Sequence, residues 1–118
     1  MQSYSNRIKW LLGEYSRKAH ERELDRELAK LDASFDRWRQ GDISSSDLDE
    51  AIHKYKSGPA RKLWKQYNQG QADMNVAYAI VAGILDETEV PEEVLEALDQ
   101  PLAFYRSLKE RGDLRLPE

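Results

Sequence analysis

Few residues of the chain have the type and spacing for chemistry. Glu50-Ala51-Ile52-His53 sets a carboxylate and an imidazole one turn apart on a helix face, the Glu-x-x-His pair with which di-iron helical bundles hold metal. Those bundles carry the pair on two helices with further glutamates, whereas here the only other histidine, His20, has an arginine three residues before it. His20 shares a face with Glu23 and Glu27, so Glu50, His53, His20 and Glu23 would form a mononuclear site if their helices paired at one level. The ordinary reading weighs more: Glu50 and His53 face solvent, and Glu23 and Glu27 are intrahelical partners of Arg26 and Lys30. Nucleophilic catalysis has a thin inventory, with no cysteine, one threonine and two histidines. Ser44, Ser45 and Ser46 precede a helix, where hydroxyls cap backbone N–H groups. Glycines 13, 41, 58, 70, 83 and 112 are too scattered for a phosphate loop. The chain calls for no catalytic residue and no cofactor.

Charge is unevenly spread. Residues 53–66 hold Lys54, Lys56, Arg61, Lys62 and Lys65 without an acid, and residues 86–99 hold seven acids without a base. Basic residues interleaved with Tyr55, Trp64 and Tyr67 would suit a phosphate backbone and stacked bases. At helical spacing, however, those aromatics are expected to turn toward the core, and the net charge of −4 lacks a basic excess. Nucleic acid is therefore a second alternative only. The two oppositely charged segments are equally able to face one another, within one chain or between two.

The elements that must position these residues are helices, since no window alternates apolar and polar as a strand does. From Ser5 to Gln40 the chain has no proline and one glycine and is rich in helix formers. Leu24, Leu28, Leu31, Phe35 and Trp38 form one apolar stripe; Ile8, Leu12, Tyr15 and Ala19 form another, out of register with the first near His20. With nothing to break it there, a continuous helix over about 5–40 is expected. Its ~54 Å length would exceed a compact domain of this size, whose radius of gyration is about 13–14 Å. Such a helix would protrude and need a second chain. Gly41 is placed as the residue after the helix end, a second helix runs over about 45–68 with a kink near Gly58-Pro59 or a short stop there with Pro59 beginning a new helix, and further helices cover about 72–86, 91–98 and 100–111. The stretch from Ala72 to Leu85 is expected to be the most buried, and the tail 112–118 to be loose.

Phe35-Asp36-Arg37-Trp38-Arg39-Gln40-Gly41-Asp42-Ile43, Leu48-Asp49-Glu50-Ala51-Ile52-His53-Lys54-Tyr55 and Ala60-Arg61-Lys62-Leu63-Trp64-Lys65 together resemble a small family of uncharacterised bacterial helical proteins. Val90-Pro91-Glu92-Glu93-Val94-Leu95-Glu96-Ala97-Leu98 is a weaker echo of it. The resemblance covers about a quarter of the chain. It implies an α fold and a bacterial cytoplasmic source, and carries over no catalytic residue. Gly58-Pro59 departs from the uninterrupted helix the family would have there.

The 118 residues, with 18 Lys+Arg against 22 Asp+Glu, 40% hydrophobic and 34% charged, suit one domain over 1–118. No apolar stretch approaches the ~20 residues of a membrane span. The start of the chain lacks the pattern of a secretory signal, and the absence of cysteine fits a reducing compartment, so the cytoplasm is expected. The fold expected is all-α, a small helical bundle with a long amphipathic N-terminal helix in a helical hairpin and shorter C-terminal helices. The function expected is that of a non-enzymatic interaction or regulatory protein, a homo-oligomer that also contacts another protein through Trp10, Tyr15, His53, Tyr55, Arg61 and Trp64. Core positions are expected for Trp38 and Trp64, and an intermolecular one for Trp10.

Overall fold

A computed structural model describes residues 3–117. It is all-helical: α1 (Asn6–Arg39), α2 (Ser45–Ser57), α3 (Pro59–Gln69), α4 (Ala72–Val81), a 3-10 turn (Glu87–Glu89), α5 (Glu92–Ala97) and α6 (Asp99–Glu110). As expected, α1 is unbroken. The Ser5 hydroxyl caps its start by accepting from the Ile8 N–H at 3.1 Å, and Gly41, at φ +79°, closes it as the N–H groups of Gly41 and Asp42 return to the carbonyls of Trp38 and Arg37. The radius of gyration is 17.1 Å and the extents are 53 × 32 × 24 Å. The long axis matches the ~51 Å of a 34-residue helix. The helix sets the shape.

Two regions follow. In the head, the N-terminal half of α1, α4, α5 and α6 enclose a single core containing Leu12, Ala19, Val76, Leu85, Val94, Leu98 and Leu102, each at most 3% exposed. Every residue from Asn75 to Val81 is buried, so α4 is the central helix, as expected. Ala19, Ala77 and Ala79 let backbones approach closely there. In the arm, α1 beyond Glu23 contributes no buried residue, α2 only Leu48 and α3 only Leu63.

At Gly58-Pro59 the second of the two alternatives holds: Gly58 ends α2, Pro59 opens α3, and a Cβ at Gly58 would lie 2.8 Å from the Lys54 carbonyl oxygen, so only glycine permits the tight junction. Two expectations need correction. α4 stops at Val81, short of 86, because Gly83 at φ +82° folds the Gly83 and Ile84 N–H groups back onto the Ile80 and Ala79 carbonyls. The tail through Pro117 is docked, with the Tyr78 hydroxyl donating to the Arg115 carbonyl at 2.6 Å and Leu114 packed on the core. Glu118 lies outside the described residues.

The division into head and arm predicts unequal costs of truncation. Leu98→Ala is expected to lower unfolding free energy by about 2–4 kcal/mol, and Leu28→Ala, on the arm, by less than about 1 kcal/mol, in urea titrations of dilute protein. Equal losses would contradict a core confined to the head.

Candidate interaction surface

The hairpin of α1 against α2 and α3 has two flanks of opposite character. Lys30 and Lys54 line one groove between the helices with Glu27, Ser34 and Tyr55, and Lys30 and Lys62 line the adjoining groove of about 450 Å³ with Arg26, Gln66 and Leu63. These three lysines therefore mark one flank. Residues two apart on a helix point ~200° apart, so Leu28, Ile52 and Trp64 occupy the other. They are 45%, 37% and 54% exposed, with Leu24 and Phe35 half-buried beside them. Trp10, 63% exposed, sits about five turns before Leu28 on the same line of α1.

Trp38 and Trp64 thus do not take the core positions expected of them. Trp38 is 41% exposed, its indole N–H donating to Ser45 Oγ at 3.1 Å. The reason is geometric: a two-helix layer buries only the line where its helices meet, and a stripe as wide as Leu24 to Trp38 overflows that line. The remaining candidates separate. Tyr15 is half-buried in the head, its hydroxyl donating to the Glu89 carbonyl at 3.0 Å. Tyr55 lines the groove of the lysine flank, while His53 and Arg61 are exposed on α2 and α3.

The four metal candidates are not gathered. His20 stacks on Tyr67, with ring centroids 4.9 Å apart, and Glu23 is buried, accepting from the Tyr67 hydroxyl at 2.6 Å. Glu50 and His53 lie on α2, roughly 20 Å farther along the hairpin. Glu50 pairs with Lys54, and His53 is 3.8 Å from Asp49. Among the described residues no three His, Asp or Glu side chains are grouped to hold a metal ion. Ser44 caps α2 reciprocally with Asp47, as expected. Sequence places Glu23 as a metal candidate but not as a buried acceptor, because a glutamate in line with Leu12, Ser16 and Ala19 resembles ordinary helix polarity. Burial, and next the bond to Glu23, raise the pKa of Tyr67, which keeps its proton as donor.

Within the chain the oppositely charged segments do not face one another. Three acids of the 86–99 stretch are paired from α1 and α6: Arg22 grips Glu89 with two nitrogens at 2.8 and 3.1 Å, Lys18 joins at 3.0 Å, Arg7 meets Glu93 and Arg106 meets Glu87. The cations of α2 and α3 are left to the solvent face, where Lys56, Arg61, Lys62 and Lys65 have no ion-pair partner among the described residues.

Fold and surface define a small all-α protein with a compact helical head and a protruding hairpin arm. No helix of the described residues is long and apolar enough to cross a membrane. No family model, curated protein or solved structure matches the chain, so the family resemblance of its motifs reduces to an all-helical fold.

The Glu89 clasp has a pH signature. The hydrogen bond from Arg22, followed by those from Lys18 and the Asp86 backbone, lowers its pKa from 4.5 to about 2. A folded-state pKa below the unfolded one gives stability that is fully present above about pH 5 and lost as pH falls toward 2. Glu89→Gln is expected to reduce the urea midpoint at neutral pH and to make its decline below about pH 5 shallower than in the parent. Parallel acid limbs for the two proteins would count against the clasp.

Proposed function

We propose that this chain is a non-enzymatic helical interaction protein that self-associates through the apolar flank of its arm. The observation that carries the reading is the exposure of Leu28, Ile52 and Trp64 on one side of a hairpin that has almost no buried residues of its own. A strip ~21 Å long from Leu24 to Trp38 and about two helices wide covers roughly 400 Å², the size of the largest, commonly functional, patches on monomers. Two parallel ridges of apolar side chains with a shallow seam between them suit helices laid alongside. Exposed tryptophans are the residue type that contributes most to association when covered. Nucleic acid fits this flank less well. Trp64 stands beside Arg61 and Lys65, but the α1 side of the same face carries Glu21, Asp25 and Asp32, which repel phosphate.

Light scattering tests the reading. The mass is expected to climb from 13.7 kDa toward twice that value as concentration rises from low to high micromolar. The triple variant Leu28→Ser, Ile52→Ser, Trp64→Ser is expected to stay at 13.7 kDa with unchanged helical content by circular dichroism. A parent chain that remains monomeric across the range would overturn self-association.

A further inference from the structure

Resting on that reading, the charged margins of the apolar flank identify what covers it. On the α1 side the margin is Glu21, Asp25 and Asp32, at helical spacings of seven, three and four from Leu28. On the other side it is Lys56, four residues after Ile52, and Arg61, three before Trp64, with Lys65 on the outer edge of α3 between Trp64 and Lys62. All six are exposed and none has an ion-pair partner among the described residues. One margin is acidic and the other basic.

Their heights along the hairpin correspond. α1 runs antiparallel to α2 and α3, with His20 opposite Tyr67 at one end and Trp38 opposite Ser45 at the other. Interpolating between those two contacts at ~1.5 Å per residue puts Lys65, Arg61 and Lys56 level with Glu21, Asp25 and Asp32 respectively, each within about one turn. A two-fold axis parallel to the hairpin leaves heights unchanged and exchanges the margins, so acid meets base at each level. The alternative two-fold, across the hairpin in the plane of the flank, lays α1 on α1 and sets acid against acid.

The head does not obstruct this face. Ala19, which packs into the core, is in helical register with Arg26 and Lys30, so the head sits toward the lysine flank. The tail residues Arg115, Leu116 and Pro117 line the groove on that same flank.

We infer that the partner is a second copy of this chain, packed flank to flank about a two-fold axis parallel to the hairpin. The arms form an antiparallel four-helix bundle, with Glu21, Asp25 and Asp32 of each copy against Lys65, Arg61 and Lys56 of the other. Roughly 400 Å² of apolar strip per copy plus its charged borders falls at the low end of specific interfaces, so the dimer is reversible and salt-sensitive.

Charge reversal separates this arrangement from self-association in general. Sedimentation equilibrium at low salt would compare the parent with Lys56→Glu/Arg61→Glu/Lys65→Glu, with Glu21→Lys/Asp25→Lys/Asp32→Lys, and with all six changes in one chain. Each triple variant is expected to weaken dimerisation at least about tenfold, and the six-fold variant to recover it. The chain has no cysteine, so disulfide trapping adds a clean geometric readout. Asp25→Cys mixed with Arg61→Cys is expected to cross-link as a heterodimer, and Asp25→Cys alone not to. A dimer indifferent to charge reversal, or one trapped by Asp25→Cys alone, overturns the arrangement while leaving self-association standing. A parent chain that never dimerises removes both.

Discussion

A single uninterrupted helix, longer than the core that holds it, governs the whole molecule. The 34 residues of α1 reach across the full 53 Å of the protein, yet its buried residues end at Glu23. A chain of this size has enough apolar side chains for one modest core, and α4, α5 and α6 spend theirs on the first half of α1. The second half is held only by α2 and α3. Two helices meet along one line, so both flanks of the hairpin remain to be dealt with, and the rest of the surface follows from how each is treated.

Charge placement adds to the packing that closes the head. Along α1, Arg7, Lys18 and Arg22 point at the acidic turn and α5, and their contacts fix the loop between α4 and α5 against the long helix. Arg22 also donates to the Ile84 carbonyl at 2.8 Å, so one guanidinium spans the exit of α4 and Glu89. This arrangement occupies Glu87, Glu89 and Glu93 of the acidic segment. The basic residues of α2 and α3 gain no equivalent intramolecular partners, and the arm carries its charge outward.

Much of this was legible in the sequence because it depends on neighbours along the chain. The continuity of α1, its end at Gly41, the Ser44 cap and the burial of the stretch after Ala72 follow from local propensity, capping chemistry and unbroken apolarity. What escaped depends on residues far apart. The stripe from Leu24 to Trp38 reads as core only if something covers it, and periodicity cannot tell a covered stripe from an uncovered one. The tail lacks helical pattern, yet Tyr78, Gln66 and Glu23 on three different helices converge on Arg115. Gly83 also differs from Gly41 in context, since apolar residues continue beyond it and mask the helix end that its positive φ imposes. Of the surface residues named from sequence, Trp10 and Trp64 share the open face, whereas Tyr15 is drawn into the head by a carbonyl 74 residues away.

The two flanks of the arm answer the same physical problem in opposite ways. On one, Lys30, Lys54 and Lys62 line the grooves beside the seam, Lys30 pairing with Glu27 and Lys54 with Glu50, and Leu116 and Pro117 of the tail lie against the groove. That side is supplied from within the chain. On the other, at the matching position of each helix two residues away, stand leucine, isoleucine and tryptophan. If the arm were merely a poorly packed extension, both flanks would show the same mixture of side chains. The sorting, lysine on every helix to one side and apolar on every helix to the other, is the pattern expected of a layer with solvent on one face and another layer on the second. That sorting, with the charges bordering the apolar face, is what supports the proposal that an identical half completes a four-helix bundle.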